Sequence, residues 1–291
     1  MPTIAEKRVF TKRDDVVRAL VASSMGVVGV SLSGDIVGEF GIERRCDARD
    51  VAARGDAVAV ATDGDVLVGD FEPTGHGPAV AVSVADEGVF AAAPDGTVSV
   101  LAVDADGDDP KSGNGDTADA WTVVGSVDDP RRLDGRLVAA GNGVHRVIDG
   151  ELESAGLDDA RDVSDRGVPL AVTADALYTL GNGWMRDLEP ADEGAADSEV
   201  QTEPGFRCVA ADADGERAVA ASGAALYERA DATATDWIRH DESGVIDAAF
   251  AGRHLVAVTD GGEARVYADG GWRGRTLGLP DVRAVAVPGE H

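Results

Sequence analysis

The sequence is poor in several things at once. Only two of its 291 residues are cysteine, Cys46 and Cys208, and they stand far apart along the chain. That excludes a disulfide scaffold, and both thiols are expected to be reduced and buried. No Cys-x-x-Cys pair is present, and the five histidines, His76, His145, His240, His254 and His291, show no metal-binding spacing. No zinc-type ligand set can therefore be read. Aromatic residues are only 4% of the chain, so a core must be built from Val, Ala and Leu. No run approaches the roughly 18 apolar residues of a membrane span. The opening stretch Met1–Arg8 leads into no apolar segment, which argues against a secretory signal. A Gly-x-Ser-x-Gly elbow and a Gly-x-x-x-x-Gly-Lys phosphate loop are also missing. The expectation leans away from an enzyme and includes no cofactor, although an enzyme could assemble a site from distant loops.

Lysine is scarce too, at Lys7, Lys12 and Lys111 only, so nearly all basic residues are arginine. Acid dominates: 54 Asp and Glu against 26 Lys and Arg give a net charge of −28. Hydrated carboxylates keep a chain soluble in concentrated salt, where a Debye length of about 3 Å at 1 M screens their mutual repulsion. The composition points to a halophile's cytoplasmic protein. It also speaks against nucleic acid as a partner, which needs a basic surface, and nothing points to a membrane.

What the chain has in quantity is a repeat. Short Val/Ala-rich strands alternate with tight turns in blocks of about 30 to 50 residues, the mark of an all-β β-propeller. In one clear unit, residues 47–53, 57–62 and 65–69 read as strands A, B and C, with Asp63-Gly64 as a hairpin turn at positive φ. Further A strands fall at 78–85, 129–134, 159–165, 206–211 and 245–251. A lone strand A at Asp281–Val287 and an A-less set at 17–24, 26–32 and 36–43 together make one blade, which would close the ring with both ends of the chain. The count favours seven blades. Six or eight stay open, because the unit from Asp47 has only Phe71–Gly77 for a fourth strand. The reading is a single domain over 1–291, with an N-terminal extension at 1–15 and acidic loop insertions at 104–120 and 189–204. Trp121, Trp184, Trp237 and Trp272 recur near fourth strands and Tyr178, Tyr227 and Tyr267 in C strands, as packing between blades requires.

Aligned A strands place Arg49, Arg131, Arg161, Arg207 and Arg283 at one position, with Ala79 and Ile246 in the other two blades. Asp47, Asp129, Asp159 and Asp281 stand two residues earlier, on the same strand face. Strand A is innermost, so the five arginines would ring one mouth of the channel. Guanidinium forks there could hold a carboxylate or phosphate, or could fasten neighbouring blades through those aspartates. A weak calcium candidate, Asp104, Asp106 and Asp108, lacks the closing glutamate of an EF-hand loop. No other metal site is expected.

The segments Glu6-Lys7-Arg8-Val9-Phe10, Gly26-Val27-Val28-Gly29-Val30 and Gly38-Glu39-Phe40-Gly41 resemble a family of propeller proteins from halophilic archaea. The WD-repeat signatures are missing, although the architecture is similar. The resemblance implies the fold and a cytosolic setting in salt, and supplies neither an activity nor site residues. The expected function is a non-enzymatic scaffold that docks a protein partner on the face where the arginines emerge. The alternative is an anionic small-molecule or enzymatic site at that channel mouth.

Overall fold

The computed structural model describes residues 16–102, 120–190, 205–231, 236–268 and 270–289. Among these, the strands form seven four-stranded antiparallel sheets, the blades of a β-propeller. Each blade runs from an inner strand A to an outer strand D. Blade 1 is the composite: its strand A is Val282–Ala286, paired to Val16–Ser23, and its strand D is Ile36–Arg44. The A strands of blades 2 to 7 are Ala48–Arg54, Ala81–Ala85, Pro130–Asp134, Asp162–Ser164, Phe206–Ala211 and Val245–Ala251. The blade begun at Asp47 does have a fourth strand, reduced to Glu72–Pro73.

Burial explains why the strands lack clean alternation. Ala81–Ala85, Leu137–Ala140 and Ala218–Ser222 are buried at every residue, because a neighbouring blade covers each face. Outer strands such as Gly271–Thr276 are mostly exposed and correspondingly polar. The apolar core is divided into clusters between adjacent blades; Phe206, for example, packs with Leu170, Val172 and Leu177 of the preceding blade. The four tryptophans, with Tyr227 and Tyr267, sit in these joints: Trp121 and Trp184 against two clusters, Tyr267 and Trp272 against a third, Tyr227 and Trp237 against a fourth. Cys46 and Cys208 are free thiols, half-buried and buried respectively.

Two sequence expectations need correction. The Asp63-Gly64 turn does not use positive φ. It is closed by the Thr62 hydroxyl, which accepts from the N–H groups of Gly64 and Asp65 and donates to Asp65 O at 2.7 Å. Thr173 and Ser222 hold the matching turns of blades 5 and 6 in the same way. A hydroxyl at the end of strand B thus does the work expected of glycine. The other correction is a register. Val80 N donates to Ala92 O as Arg161 N donates to Val172 O, so Val80, not Ala79, stands at the arginine position of blade 3.

Phe206 is fully buried and meets the Tyr227 ring edge-to-face at 5.6 Å. Phe206→Ala is expected to cost about 3–5 kcal/mol by opening the joint between blades 5 and 6. Val123→Ala, on an outer strand, should stay within about 0.5 kcal/mol. Urea unfolding at constant molar KCl measures both.

Candidate functional site

The channel is built by the first residues of the A strands. Asp129, Asp159 and Asp281, two residues before the arginine position, have φ of 52°, 53° and 47°, and Gly205 and Gly244 fill the same place at 95° and 72°. Asp is among the few non-glycine residues that tolerate this left-handed backbone, so the recurring Asp serves chain entry into the blade. At the arginine position itself the strand A–B register shifts in five blades, leaving Arg49, Arg131, Arg207, Ile246 and Arg283 outside the ladder. Such a bulge bends the strand and re-aims its side chains.

Three of the bulged arginines, and Arg161, reach sideways into the next blade. Arg283 bonds to Asp47 and to Ala48 O at 2.9 Å. Arg131 repeats the geometry one joint further on, with Asp159 Oδ1 at 2.7 Å and Ala160 O at 3.1 Å, and also takes its own Asp129 at 3.0 Å. Arg161 donates to Phe206 O at 3.0 Å, and Arg207 reaches Asp260 at 3.3 Å. Blade 3 offers no aspartate at the matching place, and Arg49 stays with its own Asp47 at 3.7 Å. The structure thus brings the five arginines to one mouth and turns their guanidinium groups toward protein carboxylates and carbonyls. The calcium candidate Asp104, Asp106 and Asp108 lies outside the described residues.

The next position along strand A carries a second set in four blades. Asp50 accepts from Val51 N at 2.9 Å and from Val82 N of the next blade at 3.0 Å. Asp162 does the same with Val163 N and Val209 N, both at 2.8 Å. Asp247 does so with Ala248 N at 3.0 Å and Val285 N at 2.8 Å. Each carboxylate therefore satisfies two inner-edge N–H groups and staples two blades. In blade 4 the equivalent residue is Arg132, which crosses the channel. Its Nη1 meets Asp50 Oδ1 of blade 2 at 2.6 Å, its Nη2 meets Arg283 O of blade 1 at 2.6 Å, and Asp247 Oδ2 of blade 7 is 3.7 Å from Nη2. A cavity of about 120 Å³ lies in the channel beside this crossbar.

Three carboxylates share one guanidinium in a region screened from water. Burial pushes the Asp50 carboxyl up to about 6, against the opposing pull of Arg132 and the Val82 N–H. Burial raises Asp162 further, to about 8, with Arg132 opposing and Asp247 adding to the rise. Asp247 moves the same way, again by burial. Burial works against the Arg132 charge, but Asp247, Asp50 and Asp162 outweigh it and hold its pKa above the usual value. Sequence reading aligned the arginine column and passed over its neighbour. The signal was there, as Asp50, Arg132, Asp162 and Asp247 in register, but single aspartates carry little contrast in so acidic a chain.

The raised carboxyls fix the sign of a pH dependence. Unfolded aspartates titrate near pH 4, so the folded state binds more protons above that pH. The stabilising contribution is full below about pH 4 and is lost as pH rises through about 6 and then about 8. Urea midpoints at constant molar KCl should fall from pH 5 to pH 9, and Asp162→Asn should remove the decline above pH 7. A profile unchanged by that substitution would contradict the assignment. Arg132→Met should cost about 3–5 kcal/mol, since it strands the buried carboxylates, and should recover part of the loss at pH 5.

Solved structures match this fold at low identity. A functionally unknown protein from Desulfotomaculum acetoxidans superimposes with a TM-score of 0.63 at 11% identity, covering 94% of this chain and all of that one. A protein from Lactobacillus plantarum gives 0.56 at 15%, covering 94% and 99%. The computationally designed Ika8 protein gives 0.55 at 13%, covering 93% and 90%. Such likeness concerns architecture alone. No match is found among curated proteins. A family model described as HVO_0234-like beta propeller matches residues 3–288. With seven blades, a ring closed by both ends of the chain and that match over nearly its whole length, the chain belongs to the HVO_0234-like beta-propeller family.

Proposed function

We propose that this propeller is a non-enzymatic scaffold and that it docks a protein partner through strand D of blade 1. The observation that carries this reading is the outer edge of that strand. Ile36–Arg44 is nine residues long, while the other outer strands have two to six, and among the described residues no strand pairs along its outer side. Ile36, Phe40 and Ile42 lie on it at 56%, 37% and 36% exposure. Arg275 of blade 7 stacks over the Phe40 ring at 5.0 Å and donates to Gly38 O, which forms a shelf beside the edge. A long open edge with exposed apolar side chains is what a partner strand adds to. The net charge of −28 favours a partner segment with basic residues among its apolar ones.

The arginine mouth supports an anionic ligand less well, because the arginines there already meet protein acceptors. Two measurements separate the readings. Pull-down from native lysate in high salt should recover the same partner with wild type and Arg49→Ala, and lose it with the Phe40→Glu/Ile42→Glu double variant. Equal recovery with the double variant would overturn docking at this edge. Phosphate, nucleotides and dicarboxylates should leave the melting temperature unchanged in molar KCl. A saturable rise would return the rim arginines to a ligand-binding role.

A further inference from the structure

The cavity beside Arg132 plays no part in docking at the outer edge, yet it is equipped to take a ligand. Two guanidinium groups cross the channel along its length. Arg132 crosses at the level of Asp50. Arg166, from the turn after strand A of blade 5, reaches Ala53 O of blade 2 at 3.3 Å. Asp50 and Ala53 are three residues apart on one strand, about 10 Å along the channel. The cavity of about 120 Å³ is lined by residues from both levels, with Ala52, Val84, Ala249 and Ala286 among its small apolar walls. Its charged lining is unbalanced: Asp50, Asp134, Asp162 and Asp247 face only Arg132 and Arg166.

Within that lining Asp162 is a buried carboxylate that no arginine hydrogen-bonds among the described residues. The Arg132 hydrogen bonds go to Asp50 and to Arg283 O. Among the described residues Asp162 receives only the N–H groups of Val163 and Val209, one on each oxygen. Each oxygen keeps acceptor capacity. Two residues further on, and so on the same side of the strand, stands Ser164. It is 1% exposed, its Oγ has no hydrogen-bond partner among the described residues, and it too lines the cavity. A buried hydroxyl without a partner is costly and uncommon.

We propose that the cavity binds a small primary alkylammonium ion, its N–H groups on Asp162 and Ser164 and its short alkyl chain against the alanine and valine walls. The class follows from the lining. An excess of carboxylate selects a cation, and acceptors partly used by backbone N–H groups suit a hydrogen-bond donor. The described residues contain no group of three metal-ligating side chains arranged to hold an ion. A cavity this size with apolar walls also has room for carbon as well as charge. Burial holds the Asp162 carboxyl at about 8 without a cation. An ammonium ion that favours its ionised form should therefore bind more tightly as pH rises from 6 to 9. Asp50, Asp134, Asp247, Arg132, Arg166 and the raised Cys208 thiol are the other ionisable groups around it.

Calorimetric titration of the full chain with ethylammonium chloride in molar KCl tests the site. Saturable one-to-one binding is expected, with no binding of tetramethylammonium, which has no N–H, or of 1-propanol, which has no charge. Asp162→Asn should weaken ethylammonium at least tenfold and Ser164→Ala severalfold. Ser164→Ala removes only a partnerless hydroxyl, so an unchanged melting curve would show that its effect is on binding and not on folding. No saturable heat, or equal binding of tetramethylammonium, would overturn the proposal. So would displacement by K⁺ at equal affinity, which makes the occupant an alkali ion, or affinity unchanged in both variants. None of these outcomes bears on the outer edge of blade 1.

Discussion

Among the described residues the inner strand of every blade has one edge with no neighbouring strand, and the N–H groups on that edge face the channel. Backbone donors held away from water need acceptors. In this chain Asp50, Asp162 and Asp247 supply them, each taking one N–H from its own strand and one from the next blade. Satisfying the backbone and joining the blades are thus a single interaction. It fastens blade 2 to 3, 5 to 6 and 7 to 1. Rim arginines fasten 1 to 2, 4 to 5 and 6 to 7, and Ser83 closes 3 to 4 through Gly135 O at 2.7 Å. Every joint of the ring carries at least one directional bond over its apolar packing. Three buried carboxylates then require a countercharge, and Arg132, crossing from blade 4, provides it.

The two polar layers respond differently to solvent. Rim pairs such as Arg131 with Asp159 are partly exposed, where an ion pair contributes at most about 1 kcal/mol and less in concentrated salt. What survives salt there is the bond to a carbonyl, as from Arg283 to Ala48 and from Arg161 to Phe206. The inner cluster is shielded, so salt affects it little and pH affects it strongly. Apolar packing carries the bulk of the stability, through side chains small enough for blades to approach closely. Ala59, Ala139, Ala171, Ala220 and Ala257 are all fully buried.

The architecture was largely legible in the sequence, because buried strands, turns and the split first blade leave a periodic trace that survives without aromatic signatures. Strand ends and turn chemistry were less so. Asp63-Gly64 looks like a glycine turn, while the hydroxyl that closes it sits one residue upstream at Thr62. The rim was readable because five arginines recur at one place in the aligned A strands, and the option of blade fastening followed from the paired aspartates. The crossbar was not readable. Arg132 follows Arg131 and looks like part of the same feature, but the bulge leaves Arg131 outside the ladder while Arg132 pairs with Ala139. Its partners lie on blades 1, 2 and 7, contacts that no local pattern encodes.

Closure by a shared blade also sets a timetable. Residues 20–23 find their inner partner only in Val282–Ala286, some 260 residues later along the chain. At the usual ~5–20 residues per second of synthesis, that is a wait of about 15 to 50 s. Throughout it the first blade has three strands and an open inner edge beside an acidic, growing polypeptide. Interior blades can stack in order as they are made, since each finds its neighbour nearby in sequence. The ring, and with it the Asp247 bond to Val285, is completed only when Val282–Ala286 reaches the first blade, so assembly of the centre waits for that strand.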